Sequence, residues 1–178
     1  GQAIGLNFMR GDHQHRVVIG KDTRLSGYMV EAALASGLVS VGMDVAFVGP
    51  LPTPAVSMLT RSLRADVGVM ISASHNPAED NGLKIFRGDG YKLDDALEQR
   101  IEELILTPEI DNIRPIGSAL GETKIIADSL DRYVAALKAS VPLLSLEKFK
   151  IAVDCAHGAS SFSTPQLLKE LGAEIFLF

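Results

Sequence analysis

Apolar positions in this chain come in two kinds of stretch. Short continuous runs at residues 16–20, 44–49, 67–71 and 83–86 are rich in Val, Ile and Phe, as strands buried on both faces require. Between them, Val30, Leu34, Gly37, Leu38 and Val41 fall at i, i+4, i+7, i+8 and i+11, one stripe of a helix. Leu97, Ile101, Leu104 and Ile105 mark a second such face, and Ile126, Leu130, Tyr133, Val134 and Leu137 a third. Residues 55–63 carry a further short helix, and residues 1–10 read as the tail of a helix entered partway, so a truncated N-terminus is expected.

Polar punctuation sets the ends. Ser26 is expected to cap the first long helix, and Thr53 the next, with Pro54 at its first helical position. Asp94 and Asp95 place acidic groups where a helix dipole favours them. Gly42 stops a helix and residues 88–90 turn. Residues 107–122 lose periodicity and read as a connection, and 141–148, with Pro142, read as a domain boundary. A new unit follows: strand 150–154, loop 155–163, helix 164–171 and strand 174–178. Strands alternating with helices predict an α/β layered α/β/α domain with a mostly parallel mixed sheet, plus the start of a second, similar domain. The parallel order is expected to break at residues 74–82, because a loop without a helix can reverse the chain.

Composition narrows the class. Of 178 residues, 47% are hydrophobic and 22% charged, enough for a packed core. A net charge of −5 argues against a general nucleic-acid binder. One cysteine, Cys155, excludes an intrachain disulfide and fits a reducing compartment. No apolar run approaches the roughly 18 residues of a membrane span, and no signal peptide leads the chain. The expectation is a cytoplasmic protein that touches neither nucleic acid nor membrane.

Candidate chemistry gathers between the third and fourth strands, where Ser72, Ser74, His75, Asn76 and Lys84 lie among small residues and loop signals. Ser74 either presents its hydroxyl to a cleft or bonds its own backbone as a turn serine. His75 is adjacent, and neighbours in an extended segment point to opposite sides, so a Ser74–His75 dyad is not expected. The chain also has no Gly-x-Ser-x-Gly elbow. Lys84, inside an apolar run, either faces an anion near Ser74 or lies on the solvent side of an edge strand. Residues 20–24, Gly-Lys-Asp-Thr-Arg, follow a strand and precede a helix where α/β folds bind ligands, yet they lack a Walker ending. They are equally readable as a structural turn held by Asp22 and Arg24. His13 and His15 have no third ligand in sight and read as surface residues. Asp154, Cys155 and His157 are weak grounds for a metal site.

The segment Ile-Ser-Ala-Ser-His-Asn-Pro at 71–77, with Asp80, Asn81, Gly82, Leu83 and Lys84, closely resembles the active-site serine loop of the α-D-phosphohexomutases. Residues 19–27, 49–55 and 153–159 resemble the same family in order, so the resemblance covers nearly the whole chain, and the details lean toward its glucosamine-phosphate branch. It implies a four-domain, magnesium-dependent enzyme for amino-sugar nucleotide and cell-wall precursor synthesis. Ser74 would shuttle a phosphoryl group on a phosphorylated hexosamine, and its phosphate would ligate Mg2+. His75 and Lys84 would stabilise charge or carry protons, and Asn76 and Arg24 would contact substrate or phosphate. The family's metal loop of three aspartates, its sugar-reading loop and its phosphate-clamping loop are absent from this sequence. The resemblance therefore implies a first domain at 1–141 and the opening of a second at 142–178, inactive alone, with the remaining magnesium ligands elsewhere. A homodimer is a further expectation, and the strand at 175–178 is expected to expose an apolar edge that promotes association of the chain as given. A phosphomannomutase or phosphoglucomutase, or a non-catalytic phosphate-binding module, are the alternatives.

Overall fold

The computed structural model describes residues 1–112 and 115–178. In chain order its elements are α1 (Gln2–Phe8), β1 (Arg16–Lys21), α2 (Ser26–Ser40), β2 (Asp44–Pro50), α3 (Thr53–Ser62), β3 (Val67–Ile71), β4 (Leu83–Arg87), α4 (Asp95–Leu106), β5 (Thr123–Ile125), α5 (Ser129–Ser140), β6 (Lys150–Val153), α6 (Ser163–Glu170) and β7 (Glu174–Leu177). Five strands form one sheet in the order β4-β3-β1-β2-β5, and β6 and β7 form a separate parallel pair. All neighbours in the large sheet are parallel except β3 and β4, which are antiparallel. The expected reversal after β3 is therefore present.

Alternation along the strands divides the core in two. Val17, Ile19, Val67, Val69 and Ile71 face Ala3, Leu34, Leu38, Ile101 and Leu104 of α1, α2 and α4. Val18, Ala46, Met70 and Phe86 face Ala55, Val56, Leu59 and Tyr133 of α3 and α5. The result is helix, sheet, helix in layers, with the interiors of β1 and β3 buried on both faces as their apolar runs predicted. β4, read from the same kind of run, is instead half-buried and leaves Leu83 exposed, because it lies at the sheet edge. α3 lies so close to β3 that a Cβ on Gly68 would overlap Thr60 Oγ1 and sit 3.2 Å from Thr60 Cβ.

Several local expectations give way. Ser26 does not cap α2: Leu25 is already in the helical region, and Ser26 Oγ instead accepts from Asn81 Nδ2 at 2.9 Å. Thr53 lies inside α3, whose cap position is Pro52, so its hydroxyl caps nothing. Asp94 does cap α4, its side chain accepting from the Leu97 N–H at 3.0 Å. Ile105 points to solvent instead of joining the buried stripe. The connection at 107–122 contains two short 3-10 turns, and its residues 113–114 lie outside the described residues. β5 was not anticipated; its three residues are all exposed, and it joins the sheet parallel to β2.

The β6–α6–β7 unit meets the rest through polar bonds: Thr23 Oγ1 to the His157 carbonyl at 2.7 Å, Gln166 Nε2 to Asp131 at 2.9 Å, and Lys138 Nζ to Glu170 at 2.9 Å. Among the described residues, neither buried apolar cluster reaches beyond Leu137.

Candidate active site

Because β1 and β3 run parallel, their carboxyl ends lie side by side, the position at which open α/β sheets bind ligands. The Asp22 N–H continues their ladder to the Ile71 carbonyl at 3.0 Å, and the Leu51 N–H reaches the Lys21 carbonyl at 3.1 Å. The loops after β1, β2 and β3 thus converge, and the loop after β6 joins them to enclose a cleft of about 710 Å3. Its lining includes Asp22, Thr53, Met70, Ser74, His75 and His157.

Ser74 sits three residues past the end of β3, exposed, with φ +58°. A left-handed conformation in a residue with a Cβ costs about 1–2 kcal/mol and persists only where its surroundings fix it. Here the Ser74 N–H donates to Ser72 Oγ at 3.0 Å, Ser72 N–H donates to the Gly82 carbonyl at 2.9 Å, and the Ser74 carbonyl accepts from Arg24. The two serines divide the work: Ser72 is buried and bonded, while Ser74 presents its hydroxyl to the cleft.

The same turn overturns the expectation about His75. The extended geometry that would separate neighbouring side chains does not reach Ser74, and its Oγ lies 3.4 Å from His75 Nδ1. Hydroxyl and imidazole are brought together after all, at the long end of hydrogen-bond reach.

Arg24 is placed differently from its expected role. Nε donates to Asp22 Oδ2 at 3.1 Å, Nη1 to the carbonyls of Pro77 and, at 3.0 Å, Asp80, and Nη2 to those of Ser74 at 3.0 Å and Asn76 at 2.7 Å. A guanidinium has five N–H donors, and all five are committed. No donor remains for a phosphate; the side chain is a clasp on the serine loop. Asn76 is likewise engaged within the loop, its Nδ2 donating to Asp80 Oδ2 at 3.2 Å. Lys21, next to these residues in sequence, turns away: its ammonium pairs with Glu31 and stands 3.7 Å from the Tyr28 ring centroid.

Lys84 pairs across the ladder with Met70, and cross-strand partners share a face, so it stands on the side of β4 whose partner lines the cleft. It is half-buried and makes no hydrogen bond or ion pair among the described residues. Its ammonium is thus available to an anion.

Magnesium prefers about six oxygens in near-octahedral array. The Asp22 carboxylate that lines the cleft already accepts from the Arg24 N–H and Nε, and the Asp80 carboxylate accepts from Asn76. The residues gathered at Ser74 do not by themselves compose that shell. In the loop after β6, Asp154 accepts from the Ala156 N–H and Cys155 Sγ approaches the Ser160 carbonyl at 3.9 Å. Sequence reasoning gave the His157 loop no place in this cleft; only its position after a strand, equivalent to that of Asp22, hinted at it.

Residues 1–111 match the family described as phosphoglucomutase/phosphomannomutase, alpha/beta/alpha domain I. The chain is 57% identical over 178 residues to a phosphoglucosamine mutase of Novosphingobium aromaticivorans, covering 98% of this chain and 39% of that protein. It is 58% identical over 177 residues to a phosphoglucosamine mutase of Methylobacterium sp. strain 4-46, with the same coverage. A crystal structure of a phosphoglucomutase/phosphomannomutase family protein from Burkholderia thailandensis superposes with a TM-score of 0.80 at 28% identity, covering 99% of this chain and 39% of that one. The chain thus spans about two-fifths (39%) of the length of the relatives it matches.

Proposed function

Because the chain belongs to the phosphoglucomutase/phosphomannomutase family, we infer that the full-length protein is a phosphoglucosamine mutase, interconverting glucosamine 6-phosphate and glucosamine 1-phosphate through a phosphoserine at Ser74. One observation carries this: a serine hydroxyl held exposed in a cleft by a left-handed turn whose carbonyls are clasped by Arg24. Identities of 57% and 58% to phosphoglucosamine mutases support the amino sugar over mannose or glucose phosphates.

In the forward direction the phosphoryl group leaves Ser74 for the free sugar hydroxyl. The P–Oγ bond breaks, a bond from phosphorus to the sugar oxygen forms, the hydroxyl proton departs, and Ser74 Oγ regains a proton. His75, with Nδ1 3.4 Å from Oγ, is assigned to carry that proton. The bisphosphorylated sugar then reorients, and its other phosphoryl group returns to Ser74 by the reverse of the same step. Phosphoserine carries roughly −1.5 to −2 charges, which Lys84 helps to offset. Magnesium, when bound, would neutralise more of that charge through an oxygen of the Ser74 phosphate. Its other ligands lie outside the residues gathered here, and no step above runs through it.

We assign residues 1–141 to the first domain of this enzyme and 142–178 to the start of its second. No described helix is long and apolar enough to cross a membrane, and the single cysteine supports a cytoplasmic setting. The test is brief treatment of the full-length protein with a glucosamine bisphosphate, followed by peptide mapping. Phosphate on Ser74 is expected; phosphate on the buried Ser72 would overturn the assignment. Mannose and glucose bisphosphates run in parallel decide the sugar.

A further inference from the structure

At the other end of β1 and β3 lies a cluster that the phosphoryl chemistry does not use. His13 Nε2 is 2.8 Å from Asp66 Oδ1, and His15 Nδ1 is 3.3 Å from the same oxygen. His15 was expected at the surface; it is only 5% exposed, and its Nδ1 is buried without a hydrogen-bond partner. The third ligand missing from the sequence reading is thus Asp66, 51 positions after His15.

The chain builds this cluster by simple rules. His13 lies in a bend just before the chain enters β1, and its ring is brought within 4.1 Å of the His15 ring, centroid to centroid. Gln14 between them turns away, its Nε2 donating to the Gly42 carbonyl and Asp44 Oδ1, both at 3.1 Å. The parallel register of β1 and β3 then brings Asp66 alongside: its N–H donates to the Arg16 carbonyl at 2.9 Å, and its Oδ2 accepts from the Arg16 N–H at 2.8 Å.

We propose that His13, His15 and Asp66 form a transition-metal site, of the zinc class, that ties the amino ends of β1 and β3 together. Two imidazole nitrogens and one carboxylate oxygen lie mutually within 4.8 Å, the span of donors around one ion with bonds of about 2.0–2.2 Å. Two imidazoles with one carboxylate suit Zn2+, Co2+, Ni2+ or Cu2+ and not Mg2+. Asp66 is oriented by the backbone N–H on its second oxygen, the kind of outer contact that fixes metal ligands. Without an ion, Asp66 Oδ1 hydrogen-bonds His13 alone, and His15 Nδ1, 3.3 Å from the same oxygen, is left in the interior without a hydrogen bond. With an ion, all three donor atoms are engaged and a fourth position stays open to water. The site is separated from Ser74 by the length of β3, about 17 Å for five residues, so its role is structural.

The experiment uses untagged full-length protein, stripped with chelator and kept in excess Mg2+. Co2+ is added while the visible ligand-field absorption is followed, and Zn2+ is titrated by calorimetry. One equivalent of either ion is expected to bind, with the intense absorption of a four-coordinate Co2+ centre. His13→Ala, at an exposed position, and Asp66→Asn should each weaken binding tenfold or more, while Ser74→Ala leaves it intact. Absence of stoichiometric binding overturns the proposal. So does binding that survives His13→Ala but is lost in Ser74→Ala, which would put the ion in the cleft. His13→Ala decides alone if Asp66→Asn does not fold.

Discussion

Arg24→Lys separates a clasp from a phosphate ligand. Arg24 is 14% exposed in its side chain and commits five donors, four of them to carbonyls of residues 74, 76, 77 and 80. Lysine keeps the charge but has three donors and no planar fork, so at least two of those bonds are lost. The carbonyls lie in an exposed loop where water replaces a lost donor, so each bond contributes about 0.5–1 kcal/mol and the fold should lose only about 1–2 kcal/mol. Activity should suffer more. Ser74 is held in its left-handed turn through these contacts, and displacement of a reacting group by about 1 Å costs on the order of a hundredfold in rate. We expect kcat of the full-length enzyme to fall roughly a hundredfold with little change in KM. Proteolysis within 72–82 should become faster. If Arg24 held phosphate instead, lysine would substitute as a point charge, and KM would rise while kcat stayed near normal. That pattern would refute the clasp.

Lys84→Ala should cut turnover strongly while stability shifts by no more than about 0.5 kcal/mol, since the ammonium has no partner among the described residues to lose; near-normal turnover would return Lys84 to a solvent role. Gly68→Ala should destabilise the full-length protein by about 1–3 kcal/mol in denaturant melts, because the new methyl meets Thr60; adding Thr60→Ala should recover part of that loss. Burial alone would raise the Asp66 pKa, but the Arg16 N–H and the two histidines outweigh it and hold the carboxyl below its ordinary value. A depressed folded pKa means stability that is present above the unfolded pKa of about 3.9 and lost as pH falls through the folded one. In chelator, the melting difference between wild type and Asp66→Asn should therefore shrink as pH falls in acid below about pH 4. A difference unchanged down to pH 2.5 would contradict it.

What the sequence made legible were features written in local periodicity. Val67–Ile71 appears as a strand with the bounds read from its apolar run, and the two-sided burial of β3 and of residues 17–20 in β1 follows from their unbroken runs of apolar and glycine residues. Asp94 caps as its type suggests. β5 escaped notice because three exposed residues offer no period to detect, and its place is fixed by β2 alongside. The contacts of Arg24 with the serine loop span 50 to 56 positions, and that of His15 with Asp66 spans 51; both exist only once β1 and β3 are paired. His75 was misjudged for another reason, a single φ at Ser74 that no residue type announces when the residue is not glycine. The position of Ser74 at the strand end was readable; the device that holds it there was not.

The bonds joining α5 and Thr23 to the β6–α6–β7 unit have a mechanical consequence. Lys138–Glu170, Gln166–Asp131 and Thr23–His157 are all solvent-exposed. Each can be exchanged for water at a net cost of about 0–1 kcal/mol. The wall carrying His157 and Ser160 is thus fastened by contacts that salt and water loosen, while the wall carrying Ser74 is set in the sheet. Such a cleft behaves as a compliant jaw with one fixed side, its gape governed by whatever charge lies between the walls. Under the proposed mutase reaction, a bisphosphorylated sugar turning end over end between two transfers would need room at one moment and enclosure at the next, and a jaw held by polar contacts would allow both without disturbing the serine.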